Sequence, residues 1–234
     1  MRVELATEPG TPGWPNEDFA AAAPGTAVLL DGCTTTPRGA STGCVHGVAW
    51  YARALGGAVL SLISADRADP LAEALAVAIG QVRASHADSC DLAHPRTPAA
   101  TVTAVRATAD GVEVLALADS VIVADYGKDR APVVITDRHR AASTSPDAAA
   151  QARTATLPRD GLHAITLLSD GATRIAEQYG LLSWPELAAV LREEGPAELI
   201  AQVRAAEDAD PDGARWPRDK LRDDATVLYW PQPG

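Results

Sequence analysis

Aromatic side chains are scarce in this chain of 234 residues, which holds one Phe, four Tyr and five Trp. Its core must therefore be assembled mostly from Ala, Val and Leu, and at 47% hydrophobic residues the composition is that of a globular protein able to bury one. Basic residues are also in the minority, 20 Lys and Arg against 31 Asp and Glu, for a formal charge of −11. That balance argues against nucleic acid or an anionic membrane as partner. No run approaches the roughly 18 apolar residues needed to span a bilayer, and residues 1–10 lack the apolar stretch of a signal peptide. A soluble, cytoplasmic protein is expected. The three cysteines, Cys33, Cys44 and Cys90, are too few and too scattered for a disulfide scaffold or a CxxC zinc site, so free thiols are expected.

What the chain has instead is a recurring device. Ala27, Val28, Leu29 and Leu30 run into Asp31 and Gly32; residues 115–118 lead into Asp119 and Ser120; residues 165–169 lead into Asp170 and Gly171. Near the end the order reverses, with Asp223 and Asp224 preceding the apolar run 225–230. Each reads as a buried strand with a carboxylate at its end. Singly, Asp-Gly and Asp-Ser are ordinary turn pairs. If they converge, mutual repulsion forbids ionising them all unless hard cations neutralise them, and oxygen ligands suit magnesium, manganese or calcium.

Along the chain, strands are expected over 2–7, 19–23 and 27–30, the last two as a hairpin turned by Pro24-Gly25. Val45, Val48, Ala49, Ala52, Leu55 and Val59 recur at helical spacing, with Ser41 or Thr42 as N-cap, and a second helix is expected from about residue 69 to about residue 87. Runs at 102–107, 112–118, 121–124 and 133–136 read as an antiparallel meander. Residues 137–160 are polar, with a helix expected around 148–153. A strand over 162–169, helices over 172–178, 187–193 and 197–207, a charged loop over 208–222 and a last strand complete the order. Strand blocks separated by paired helices indicate an α+β protein of two packed sheets with helices outside them.

Taken in order, the landmarks resemble those of the protein phosphatase 2C family of metal-dependent serine/threonine phosphatases, in the manner of a divergent bacterial member. They are Asn16 with the acidic pair Glu17 and Asp18; the strand ending in Asp31 and Gly32; Thr97, Pro98, Ala99, Ala100 and Thr101 before a strand; Ala118, Asp119 and Ser120 where the family has Gly-Asp-Ser; Ser169, Asp170 and Gly171; and Asp223, Asp224, Ala225 and Thr226 where it has Asp-Asn-x-Thr. The resemblance implies an α/β/β/α four-layer sandwich, a single domain over 1–234 with the metal centre at one edge between the sheets. It implies two Mn2+ or Mg2+ ions, with Asp31 bridging both, the Gly32 carbonyl on one, Asp170 and Asp223 on the other, Glu17 reaching a metal through water, and Asp18 supporting it. Asp119 would hold the further ion that bacterial members often carry. A metal-bound water would attack phosphorus in a phosphorylated protein, so Asp31, Asp170 and Asp223 would act through it.

Two departures bear on activity. The family usually carries a phosphate-gripping Arg four residues before Glu17; Gly13 stands there, and Arg38 is the nearest substitute in sequence. The segment 137–160 is shorter than the family's flap-bearing insertion, which points to a small phosphoester or an unusual protein substrate. The alternative reading is a catalytically weak pseudophosphatase that binds a phosphoprotein as a regulatory module. Self-association is left open. Cys33 is read as packing, His46 as a structural histidine on the first helix, and the five tryptophans as core or rim packing, with Trp14, beside the acidic pair, also a candidate to line the mouth of the site. His86, His94, His139 and His163 have no mutual metal-ligand spacing and are assigned no role.

Overall fold

A computed structural model describes residues 2–33, 41–65, 69–137 and 143–232. In chain order its elements are β1 (Glu4–Glu8), β2 (Phe19–Ala23), β3 (Thr26–Leu30), β4 (Gly32–Cys33), α1 (Val48–Ser64), α2 (Leu71–His86), β5 (Ala99–Ala100), β6 (Val102–Ala107), β7 (Val112–Leu117), β8 (Val121–Asp125), β9 (Val133–Ile135), β10 (Arg153–Leu157), β11 (Ala164–Leu168), α3 (Asp170–Glu177), α4 (Trp184–Glu193), α5 (Pro196–Asp208) and β12 (Ala225–Pro231), with a 3-10 helix over Pro146–Gln151. Two five-stranded antiparallel sheets, ordered β1-β12-β11-β8-β9 and β10-β7-β6-β3-β2, face each other, and β4 pairs with β5.

The two-residue period of a strand explains the layering. In β3, Ala27 and Leu29 point between the sheets, where they meet Val105, Val114, Ile122, Ile165 and Leu228. Val28 and Leu30 point the other way and pack beneath Leu55, Val59, Leu75 and Ile79 of α1 and α2. On the far side, Val121, Leu168 and Val227 are covered by Ile175, Leu187, Leu199 and Val203 of α3, α4 and α5. A strand buried on both faces has no polar alternation, hence the continuous apolar runs. The result is the α/β/β/α sandwich that the resemblance implies.

Several expectations are corrected. The four runs between 102 and 136 are not one meander: β6 and β7 lie in one sheet, β8 and β9 in the other. The chain changes sheets through Ala118, whose φ of 66° is the one positive value at a non-glycine among the described residues. The helix expected at 148–153 is a 3-10 helix ending at Gln151, followed by edge strand β10 on β7. Residues 153–156 of β10 are exposed, so burial left no apolar pattern there to read. Helix α1 starts at Val48 with Gly47 as N-cap and no side-chain cap, so His46 precedes the helix and Ser41 and Thr42 do not cap it. Cys44 and Cys90, expected as free thiols, are paired as a disulfide across an isolated antiparallel bridge; Cys33 is free. No helix of the described residues is long and apolar enough to cross a membrane.

Candidate metal centre

The edge between the two sheets collects the strand-end carboxylates. Antiparallel pairing of β11 with β12 sets Leu168 against Val227, so Asp170, just beyond β11, and Asp223, just before β12, emerge at the same sheet end. Asp31 arrives at that edge from the opposite sheet, as the residue after β3. Its backbone N–H donates to Thr101 Oγ1 at 3.2 Å, its carbonyl accepts from the Thr101 N–H at 2.8 Å, and its Oδ2 accepts from the Asp170 N–H at 3.3 Å, the first residue of α3. A helix N-terminus aimed at a carboxylate favours its charge.

Glycines allow the closeness. A Cβ on Gly32 would meet the Glu17 carbonyl oxygen at 2.7 Å, and one on Gly171 would overlap the Asp224 carbonyl. The Asp224 carboxylate ties the N-terminal loop to the site by accepting from the backbone N–H groups of Gly10 and Glu17, both at 2.7 Å.

A cleft of about 450 Å³ opens here, lined among others by Asp31, Gly32, Cys33, Asp119, Asp170 and Asp223. Asp119, in the turn where the chain changes sheets, is exposed at its rim. Asp18 lies behind, 7% exposed, and neither of its carboxylate oxygens has a hydrogen-bond partner, although the nearby Thr226 and Ser169 hydroxyls favour its charged form. Burial foremost, with Asp224 and Asp170 adding repulsion, raises the Asp18 carboxyl to about 7. Burial, then Asp18 and Asp170, hold Asp31 well above the usual carboxylate range; burial, then Asp223, raise Asp170. Among the described residues no three of these carboxylates have ligand atoms all within 4.8 Å of one another, so they ring the cleft rather than meet at a point. A crowded, oxygen-only set with an unpartnered buried carboxylate behind it fits a hard divalent cation.

Other residues at the cleft were not singled out from the sequence. Arg174 of α3 reaches Asp223 Oδ2 at 2.9 Å, and Lys220 reaches Asp223 Oδ1 at 2.7 Å. Burial is the largest single influence on Lys220 and acts to lower its pKa, but Asp223 together with Asp31 and Asp170 raises it overall. Thr173, Glu177 and Arg218 also line the cleft. The helical spacing of Thr173, Arg174 and Glu177 after Asp170 was a usable signal; Lys220 and Arg218, inside an irregular loop, left none. The Cys33 thiol is pushed up to about 12 by burial, then by Asp119 and Asp170, so it stays protonated and packs as expected. Trp14 is 53% exposed and is not among the cleft-lining residues, so of its two readings the one at the mouth of the site does not hold. Gly13 has a φ of 82° with nothing within 4 Å of a Cβ. Arg38 lies outside the described residues.

Comparison with solved structures shows the same fold at low identity. A bacterial serine phosphatase variant matches with a TM-score of 0.67 and 16% identity, covering 99% of this chain and 98% of the other. The serine/threonine phosphatase Stp1 from Staphylococcus aureus matches at 0.65 and 13%, covering 99% and 95%. The catalytic domain of the serine/threonine protein phosphatase PstP, in complex with two manganese ions, matches at 0.63 and 14%, covering 99% and 98%. No curated protein matches the chain. The sequence model of the family described as protein phosphatase 2C matches residues 11–205, most of the length, and the chain belongs to that family.

Proposed function

We propose that the cleft hydrolyses phosphoserine and phosphothreonine esters of proteins, with two Mn2+ or Mg2+ ions held by Asp31, the Gly32 carbonyl, Asp170 and Asp223, with Glu17 and Asp18 behind them and Asp119 available to a third ion. The observation that carries this reading is the Asp18 carboxylate, buried, without a hydrogen-bond partner and facing Asp31 and Asp170. An anion so placed is costly unless a cation lies beside it. When bound, such ions supply Lewis-acid polarisation of the phosphoryl oxygens and a lowered pKa for water.

The chain's own residues do the rest. The Asp31 carboxylate, which accepts from the Asp170 backbone N–H, is thereby spaced from the Asp170 side chain. Lys220, 43% exposed at the cleft, is the described cation best placed to meet a phosphate where the family's arginine is missing at Gly13. The 137–160 segment is shorter in sequence than the family's flap-bearing insertion, which keeps small phosphoesters among the substrates this reading allows.

Hydrolysis of p-nitrophenyl phosphate and of phosphoserine and phosphothreonine peptides should require Mn2+ or Mg2+ and stop in EDTA. Full turnover in EDTA would overturn the metal mechanism. The internal capture of Asp223 by Arg174 and Lys220 favours a second reading, a pseudophosphatase that binds phosphoproteins without turning them over. Phosphopeptide binding with no turnover under either metal would establish it.

A further inference from the structure

We propose that Cys44, His46, His86 and Cys90, gathered at one end of the α1–α2 pair where α1 begins and α2 ends, form a zinc site that is filled when the Cys44–Cys90 bond is reduced. The His86 ring and the two sulfurs have ligand atoms all within 4.8 Å of one another. His46 Nδ1 stands 3.5 Å from Cys90 Sγ and 3.7 Å from Cys44 Sγ. A tetrahedral zinc ion, with zinc–sulfur distances of about 2.3 Å and zinc–nitrogen distances of about 2.0–2.1 Å, separates sulfur and nitrogen ligands by about 3.5 Å. His46 Nδ1 therefore stands at about ligand-to-ligand spacing from both sulfurs, and the His86 ring lies within 4.8 Å of them, its centroid 5.8 Å from that of His46.

The surroundings are those of a built ligand shell. His86 is 4% exposed, and its Nδ1 lies 2.5 Å from the Val82 carbonyl oxygen, to which only a protonated Nδ1 can donate; that tautomer leaves Nε2 with its lone pair free. Cys44 Sγ accepts from the His46 backbone N–H at 3.4 Å, and the Ser89 hydroxyl is 3.8 Å from Cys90 Sγ. The His46 N–H favours a thiolate at Cys44 and adds little to a disulfide, whose sulfurs are weak acceptors; the Ser89 hydroxyl donates to the His86 carbonyl at 3.2 Å. His46 is held flat by stacking on Trp50 with ring centroids 3.9 Å apart. The backbone is clasped as well, by the Cys44–Cys90 bridge and by the Asp91 N–H to Gly43 carbonyl bond at 2.7 Å.

Two thiolates with two imidazoles select zinc over the magnesium or manganese that suits carboxylates, so one chain would hold two unlike metal chemistries. The disulfide and the ion are alternatives. A thiol reductant passes two electrons to the Cys44–Cys90 bond and leaves as its own disulfide; the two thiols formed then give up two protons to bind the ion. Filled, the site fastens the segment that leads from the cleft into α1 to the end of α2.

The test uses the whole chain, purified in a thiol reductant, stripped by chelator and titrated with Co2+. The expected result is a near-ultraviolet sulfur-to-cobalt charge-transfer band with intense visible d–d bands, saturating at one cobalt per chain and bleached by Zn2+. The carboxylate cleft gives neither signal, and neither depends on phosphatase activity. Cys33→Ser should keep both bands, whereas Cys44→Ser and His46→Ala should lose them. If those variants fail to fold, the wild-type chain decides alone. Absence of the bands under reduction, thiols at Cys44 and Cys90 that react equally fast with and without Zn2+, or a disulfide that the reductant does not open would each overturn the proposal.

Discussion

Asp31 and Asp223 are both strand-end aspartates, yet their neighbours differ in sign. Asp31 is surrounded by Asp18, Asp170 and Asp223, whereas both oxygens of Asp223 are held by Arg174 and Lys220. Turnover should vanish in both Asp31→Asn and Asp223→Asn, but their stabilities should part. With metal removed, Asp31→Asn relieves repulsion and should melt no lower than the parent chain. Asp223→Asn leaves a nearly buried Arg174 short of a partner and should lose about 1–3 kcal/mol. Thermal melts in EDTA and in Mn2+ check both, and an undiminished rise with Mn2+ in Asp31→Asn would remove Asp31 from the ligand set.

The element that most depends on tertiary contacts is the loop between α5 and β12, which brings Arg218 and Lys220 to the cleft. Asp210 organises it, accepting from the Arg215 and Trp216 backbone N–H groups at 3.0 and 3.1 Å and from Arg218 Nη1 at 2.7 Å. The Arg215 N–H first, then Arg218, hold its carboxyl down to about 2. Because the folded value lies below the ordinary 3.8, this stabilisation is present above about pH 4 and is lost as pH falls through about 2. Asp210→Asn should loosen the loop, lowering the melting temperature and raising KM for p-nitrophenyl phosphate more than it lowers kcat. Unchanged kinetics would show that Lys220 does not meet the phosphate. Sequence reading reached this loop only as a charged, Pro-containing stretch, since nothing in a run of Asp, Arg and Lys says which pairs form. It reached the helices more closely, because the apolar spacing of Leu71, Leu75, Ala78 and Val82 is fixed by the one face α2 buries.

For the whole molecule, the buried carboxylates couple folding to pH. Asp18 at about 7 keeps, in the folded chain, a proton that the unfolded chain has released above about pH 4. Unfolding then releases protons, and the stability of the metal-free protein falls as pH rises from about 4 to about 7. Asp31 and Asp170, also raised, act in the same direction, as does the growing repulsion of a chain with formal charge −11. Denaturant melts in EDTA between about pH 5 and about pH 7.5 should show this decline, and Asp18→Asn should flatten it. Stability rising over that range would mean that the carboxylates are ionised and neutralised within the apo fold.

Local chemistry alone was enough to mark the strands that end in Asp31, Asp170 and Asp223, because an apolar run must be buried and a carboxylate after it must leave the core. The order of those landmarks was enough to place the chain in its family, and with it the sandwich. Only tertiary structure decided which charges meet: that Arg174 and Lys220 close on Asp223, that Asp18 is walled in without a partner, and that the chain changes sheets at Ala118. It alone paired Cys44 with Cys90 and set His46 and His86 beside them. The two halves of that cluster sit in separate short stretches joined only when α1 and α2 pack antiparallel, and no local spacing encodes a contact made by the packing of distant segments.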